Sequence, residues 1–463
     1  MPEQFFSSKA RVLRCKAVME GRMGKVAALV LLLLLVCATA RVQNRVAGTV
    51  SFIADEGPVV RAGEIVTVGL EKVSREVVLR SLTFRPGDVV NPEEISASMN
   101  RLNATGLFTS VFLEPVDTFA ASPSDTVTVP VLVVVEERDM FGIQAGGGYG
   151  AFGGWYAHLE LLYRNFFGLG HRGAISGRVS AEEVRGELSY RYPYLLRFPV
   201  DGVFRTYLER RSQDAYEGFF WGGIAQISPS SAEELTWRVF SRAELALDLD
   251  FTDSSTQLFP QRGEKNTAVL GGGLQWDTRS GLFQMRGQYS ELSAELAGPF
   301  LPGTNQFYKI SAGTVFFYPL GGKVTGMGAV QGALGRGYGA DQGLLPVQER
   351  FRIGFGGIPP IRGYSEGEVM PRDELGEIRG AGALLVLTPL EVRFPIFWRF
   401  QGALFLDGGN AWRSPGEVNF GDLNWAAGPG VLLLLPFGVV RLDYGVQLKE
   451  DLQGRFHLSA GAF

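Results

Sequence analysis

The chain has 463 residues, of which 46% are hydrophobic and 61 are glycine, with a formal net charge of −4 at pH 7. That length exceeds one small domain, and the glycine-rich, moderately apolar balance excludes both a disordered chain and a membrane protein of long helices. With 44 basic side chains against 48 acidic ones and no basic stripe, nucleic acid is excluded as a general partner.

Residues 1–40 read as a secretory signal. Lys16, Arg22 and Lys25 precede an apolar run from Val26 to Ala38, and Ala38-Thr39-Ala40 has the small-x-small form of a cleavage site. The mature chain is expected to begin near Arg41. The alternative, a retained membrane helix, needs roughly 20 apolar residues, more than this run supplies. Both cysteines, Cys15 and Cys37, lie in the segment, so the mature chain is expected to hold no disulfide, thiolate metal site or cysteine nucleophile. A lipid anchor on Cys37 is disfavoured by bulky Val36 before it. Six of the basic and two of the acidic side chains fall here, leaving 38 against 46, a formal balance of −8.

Residues 59–137 read as a small α+β unit in the order β-α-α-β-β. Val59 to Val68 alternates loosely as a strand, and Ser74 to Leu82 can form a helix capped by Ser74. Arg85-Pro86-Gly87-Asp88 is a turn. Asn91-Pro92-Glu93-Glu94 starts a second helix. Asn91 can cap free amides, Pro92 sits where its missing N–H costs nothing, and Glu94 completes a box. Ile95, Met99 and Leu102 share one face, and Gly106 ends the helix. Val111 to Glu114 gives a short strand and Val127 to Val135 a long valine-rich one.

From residue 138 to 463 the texture changes and stays constant. Short segments alternate apolar with small or polar residues between Gly, Pro, Asp and Ser clusters, without helix-period stretches. Val440, Leu442, Tyr444, Val446 and Leu448 make one face of a strand, and Arg441, Asp443, Gly445 and Gln447 the other. Ala157, Leu159, Leu161 and Tyr163 alternate in the same way with Tyr156, His158, Glu160 and Arg164. A soluble sandwich rarely sustains such alternation without a helix over about 300 residues, whereas a closed barrel in lipid requires it. At roughly 20 residues per strand plus turn, there is room for about sixteen antiparallel strands. The expected fold class is therefore an all-β transmembrane barrel preceded by a small α+β domain.

Within the barrel region, Gly354 to Tyr364, GFGGIPPIRGY, places Arg362 on a glycine-rich loop with Gly356, Gly357, Ile361, Gly363 and Tyr364. Downstream, LEVRFP and FLDGGNAW place Glu391 and Asp407 on strands. A guanidinium fork matches carboxylates bidentately, so a loop folded into the lumen could fix itself to the wall through these three residues. The first barrel strand, roughly Met140 to Gly150, holds Gly146, Gly147 and Gly148, which offer little side-chain packing and a high ordering cost. The last strand ends RFHLSAGAF, with Gly461 and Phe463 close to its end. Phe456, Leu458, Ala460 and Ala462 share a face while Phe463 falls on the other parity, so the closing strand is expected to bend or fray. A weak seam between first and last strands could open sideways.

The LRSLTFRPGDVVN, MNRLNATGLFTSVFLEPV and VPVLVVVEER stretches resemble a POTRA domain. Such domains are periplasmic modules, and the resemblance implies capture of extended partners at a sheet edge. The rival reading of this unit is a linker domain without a binding role. Residues 41–58 then look like a linker or the remnant of a preceding POTRA strand, since VSFIADEGPVVRAGEI resembles one such unit running into the next. YRNFFGLGHRG, SYRYPYLL, WDTRSGLFQMRGQY, GGIPPIRGY, LEVRFP, FLDGGNAW and LLPFGVVRLDYGVQL, in order, resemble the bacterial surface antigen family. That family comprises BamA-like assembly factors, TamA-like assembly and translocation proteins and two-partner secretion transporters, and Arg362 to Pro395 looks closest to the TamA-like branch. The closing Phe463 also resembles an assembly signal of barrel proteins.

The resemblance implies a 16-stranded barrel in the bacterial outer membrane, with Arg362 as the loop arginine and Glu391 and Asp407 as its lumen partners. It implies unfolded outer-membrane or secreted proteins as substrates, a periplasmic or inner-membrane partner at the POTRA domain, and outer-membrane lipid around the barrel. No cofactor, metal or enzyme activity is expected. Gly363-Tyr364-Ser365-Glu366-Gly367 has the G-x-S-x-G spacing but lacks the strand–turn–helix context of a nucleophile elbow. His158, His171 and His457 lack ligand spacing. A two-partner secretion transporter or a passive channel are the alternatives; a plain channel needs neither the POTRA domain nor the loop motif.

Overall fold

The computed structural model describes residues 59–116, 126–230, 234–251, 266–280, 286–339, 343–355, 357–372, 376, 378, 380–436, 438–449 and 451–462. The signal segment, residues 41–58, Gly356 and Phe463 lie outside them.

The N-terminal unit packs two helices on a three-stranded sheet ordered β1-β3-β2, where β1 is Val59–Val68, β2 Phe108–Pro115 and β3 Thr126–Glu137. β1 runs parallel to β3, and β2 antiparallel to it. Helix α1 (Arg75–Ser81) starts at Ser74, whose hydroxyl accepts from the Glu76 amide. In α2 (Pro92–Ala104), Asn91 Oδ1 accepts from the Glu94 amide at 2.8 Å. Gly106 follows α2 with φ +70°, a left-handed conformation that stops a helix where a side chain would be strained. Val77, Val78, Leu102, Val131 and Val133 form the core, with Ile95 and Met99 packed at its margin. β2 begins three residues before the stretch expected from its alternation, because pairing with β3 extends back to Phe108 opposite Glu137.

Residues 141–462 form a closed barrel of sixteen strands, each antiparallel to both neighbours. The first eight are β4 (Phe141–Gly150), β5 (Gly154–Phe166), β6 (His171–Ser180), β7 (Glu183–Tyr192), β8 (Val200–Gln213), β9 (Tyr216–Pro229), β10 (Leu235–Phe251) and β11 (Thr267–Asp277). The rest are β12 (Gly287–Ala297), β13 (Phe307–Gly321), β14 (Val324–Gly337), β15 (Ala383–Phe397), β16 (Phe400–Trp412), β17 (Asn424–Leu435), β18 (Gly438–Gln447) and β19 (Gly454–Ala462). Closure gives strand edges partners that a bilayer cannot supply. Side chains alternate as the pleat requires: Leu159, Ile175, Leu188, Leu404 and Leu442 are exposed on the outer wall, while Glu209, Glu244, Glu391, Asp407 and Asp443 are buried inside.

Since the N-terminal unit leads directly into β4, it marks one end of the barrel, and successive connections alternate between that proximal end and the distal one. The β5–β6 and β7–β8 turns are proximal and dock on the N-terminal unit. Asn165 Nδ2 donates to the Lys72 carbonyl (2.9 Å), Ser74 N to the Gly168 carbonyl (2.8 Å), and Tyr194 Oη to the Arg80 carbonyl (3.0 Å). The 45-residue connection from residue 338 to 382 leaves the distal end and folds back inside.

Candidate functional site: the lumen loop and the seam

The wall is smooth where the long loop lands. A Cβ on Gly445 of β18 would lie 2.5 Å from Gly363 N and 2.7 Å from Arg362 C, and one on Gly409 of β16 would lie 2.8 Å from Ile361 Cδ1. Gly363 itself has φ +99°, so the turn that presents Arg362 needs glycine. Ile361 and Tyr364 are buried on either side against Leu384, Val386 and Ala426. Burial pushes the Tyr364 phenol up to about 12, with Glu368 adding to the shift.

Arg362 forms a two-pronged pair with Asp407, Nε to Oδ2 and Nη2 to Oδ1, each 2.7 Å, and its Nη1 donates to Glu391 Oε2 at 2.7 Å. The guanidinium lies 3.6 Å over the Phe405 ring. The three residues singled out from sequence thus meet in one place, at mid-height on β15 and β16. Four further residues complete the site. Arg393 donates to Glu391 at 2.6 Å, and Arg441 donates to both Glu391 oxygens at 3.0 and 2.8 Å and to Asp443. His457 Nε2 on β19 accepts from Gly363 N at 2.8 Å, which places its proton on Nδ1. Three guanidiniums therefore face three carboxylates. The alternation along β18 put Arg441 and Asp443 on the inner face, but nothing in the sequence aimed them at residues some fifty positions away.

A second buried network holds the distal part of the loop. Glu349 accepts from Arg242 of β10 (2.9 and 3.0 Å) and Lys309 of β13 (3.0 Å). Burial alone would raise this carboxyl, but Arg242 and Lys309 hold it at about 2. Arg352 reaches Glu182 in the β6–β7 turn at 2.9 Å. The loop is therefore tied to walls on both sides of the lumen and plugs it. Gly357 lies on the approach with φ +84° and open space around it. Ser365 donates to Glu368 Oε2 at 2.8 Å within an irregular turn, with no strand before it and no helix after it.

At the seam, β19 and β4 pair through Ala460 opposite Tyr149 and Gly461 opposite Gly148 among the described residues. By contrast, β13 pairs with β14 from Phe307 to Gly321. A Cβ on Gly148 would lie 2.2 Å from the Ala460 carbonyl oxygen across the seam, whereas Gly146 and Gly147 are outside the β4–β19 pairs and pack on the other edge of β4, a Cβ on Gly146 lying 2.4 Å from His158 Cε1 of β5. These glycines thus admit close approach as well as lowering packing. Gly147 faces the Tyr156 carbonyl in the same way at 2.9 Å, and Gly461 the Tyr156 hydroxyl at 3.2 Å. The lumen loop reaches both sides of this seam, since Gly363 bonds His457 of β19 while Gly354 packs on Phe152 in the β4–β5 turn.

A closed sixteen-stranded barrel with an α+β unit at its proximal mouth and an arginine loop anchored in its lumen defines an outer-membrane barrel with a periplasmic module. The chain belongs to the Omp85 superfamily, whose domain model matches residues 165–463, and a POTRA model, the surface antigen variable number repeat, matches residues 60–138. Two curated relatives are outer membrane protein assembly factors BamA. The one from Nitratidesulfovibrio vulgaris is 25% identical over 428 residues, covering 89% of this chain and 52% of the relative. That from Neisseria meningitidis serogroup B is 25% identical over 475 residues, covering 89% and 58%. The chain thus spans little more than half the length of these relatives. Among solved structures, BamA from Haemophilus ducreyi lacking POTRA domains 1–3 superposes with a TM-score of 0.69 at 17% identity, covering 88% of this chain and 84% of that one. CdiB from Acinetobacter baumannii gives 0.56 at 14%, covering 87% and 74%. These likenesses support the family as a whole without singling out its TamA-like branch. The protein is placed in the bacterial outer membrane, with its POTRA domain in the periplasm.

Proposed function

We propose that this protein inserts or translocates other outer-membrane or secreted proteins, receiving them as unfolded chains at the POTRA domain and passing them through the β4–β19 seam. The work is conformational, with no covalent turnover. The observation that carries this reading is the seam, where a glycine-rich first strand meets the last through the Tyr149–Ala460 and Gly148–Gly461 pairs. Unpaired strand backbone is a template for an incoming strand, and few ladder bonds need to break to expose it. The barrel homology to assembly factors named BamA supports the same class of work. A passive channel is disfavoured by the loop anchored across the lumen through Glu349 and Arg362.

The test uses a chain from which Cys15 and Cys37 are absent, with Tyr149→Cys and Ala460→Cys placed directly opposite each other. A disulfide between them is geometrically accessible, because facing residues on paired strands have Cβ atoms about 4.5–5.5 Å apart and the seam can adjust. In liposomes, the reduced protein should accelerate folding of a urea-unfolded barrel substrate, and oxidation should abolish the acceleration while the catalyst keeps its folded, heat-modifiable gel migration. Undiminished acceleration by the oxidised form would reject the lateral route.

A further inference from the structure

The junction between the POTRA domain and the barrel encloses a cavity of about 180 Å³ that neither the loop nor the seam uses. Five arginines line it: Arg80 and Arg101 from α1 and α2, Arg164 from β5, Arg172 from β6 and Arg191 from β7. Asp201 of β8 is the one lining carboxylate among the described residues, and its oxygens are already taken by Arg191 (2.7 Å), the Tyr194 amide (3.2 Å) and Ser230. Arg172 is held by Glu160.

The other three guanidiniums have no carboxylate partner among the described residues. Arg80 Nη2 donates to the Leu169 carbonyl at 2.6 Å and its Nε is buried without a partner. Arg164 Nη1 donates to the Asp139 carbonyl at 3.1 Å. Arg101 is exposed and, among the described residues, makes no hydrogen bond or ion pair. Burial pushes the Arg80 guanidinium below its ordinary value, the mark of a cation taken from water without a full counter-charge. A concavity lined by charges of one sign focuses their field and raises the local concentration of anions.

We propose that this cavity binds a phosphate group. A single carboxylate would offset one guanidinium, whereas a phosphate group presents oxygens to several guanidinium forks at once: a monoester carries about −1.5 to −2 charges and three acceptor oxygens, and a lipid diester one charge and two free oxygens. Two sources share this chemistry. One is the headgroup of a phospholipid in the adjoining leaflet: the turns that line the cavity also carry Phe167, Leu196 and Phe198, which are 80%, 71% and 64% exposed, as expected of apolar side chains at a membrane interface. The other is soluble phosphate or a phosphate ester of the periplasm. Because α1 and α2 supply Arg80 and Arg101 while barrel strands supply the others, an occupied site bolts the POTRA domain to the barrel mouth.

The experiment is calorimetric titration of the full chain in neutral detergent with three probes: inorganic phosphate, glycerol 3-phosphate and a short-chain phosphatidylglycerol. Saturable binding of the soluble probes supports the site with a free source. Binding of the lipid alone supports it with a headgroup source. In either case Arg101→Gln, which removes a side chain that holds nothing in place, should weaken binding about tenfold or more. Arg85→Gln, an exposed arginine in a POTRA turn outside the cavity, should leave it unchanged. Failure of all three probes to bind, or equal binding by the Arg101 variant, overturns the proposal. The readout is independent of protein insertion, so this inference and the proposed function can fail separately.

Discussion

Replacing Arg362 with alanine tests the lumen site most directly. The substitution leaves two guanidiniums, Arg393 and Arg441, facing the three carboxylates Glu391, Asp407 and Asp443. Glu391 keeps both remaining arginines, but Asp407, 1% exposed, keeps only neutral donors among its described hydrogen-bond partners, the Thr388 hydroxyl at 2.8 Å and the backbone amide of position 362 at 3.2 Å. The loss is therefore concentrated on one uncompensated buried charge, for which about 3–5 kcal/mol is expected. That energy is charged against loop docking, since the barrel ladders are untouched. Docking should weaken roughly a hundredfold to a few thousandfold. Trypsin cleavage after Arg352, whose side chain is 11% exposed in the docked loop, reads the released population when cleavage is slower than redocking. Asp407→Ala alone leaves Arg362 bonded to Glu391 and should cost less. The double variant should fall short of the sum by about 2 kcal/mol. Additivity to within about 0.5 kcal/mol would refute the claim that the Arg362–Asp407 contact anchors the loop.

Three further outcomes follow from the same geometry. Glu349→Gln should loosen the distal anchor and raise ion conductance in planar bilayers, while equal conductance would separate Glu349 from plugging. The Glu349 carboxyl is depressed from 4.5 to about 2, so its stabilisation is fully present above the higher value and disappears as pH falls through the lower one. Conductance of the unaltered protein should therefore rise on acidification across that window, and the Gln variant should lack this component. Gly445→Ala places a Cβ against the backbone of Arg362 and Gly363, which should displace the loop at a cost of about 1–3 kcal/mol and speed trypsin cleavage without lowering barrel content in circular dichroism. His457→Ala leaves the buried Gly363 N–H without its acceptor and should destabilise docking by about 1–3 kcal/mol in the same protease assay, whereas an unchanged rate would make that hydrogen bond incidental.

Much of the architecture was legible in the residues because it depends on local rules. The alternation of Leu442 and Tyr444 with Arg441 and Asp443 assigns faces by the two-residue period of a strand. Asn91 and Pro92 mark a helix start by chemistry confined to one turn. The Arg362, Glu391 and Asp407 set could be proposed because a lone loop arginine and inward carboxylates are complementary whatever the register. The seam was legible only as glycines and an odd closing parity.

What the tertiary structure decided is which residues meet. Arg441 lies fifty residues from Glu391 and donates to both its oxygens, and His457 lies 94 from Gly363, because curvature and shear bring β15, β16, β18 and β19 to one side of the lumen. The Glu349–Arg242–Lys309 cluster and the Arg80–Arg101–Arg164 cavity arise in the same way, from elements far apart in sequence. A strand's period determines whether a side chain faces lipid or lumen. Its height and its neighbours across the barrel depend on the register of every ladder between them, a cumulative property that no single stretch of sequence carries.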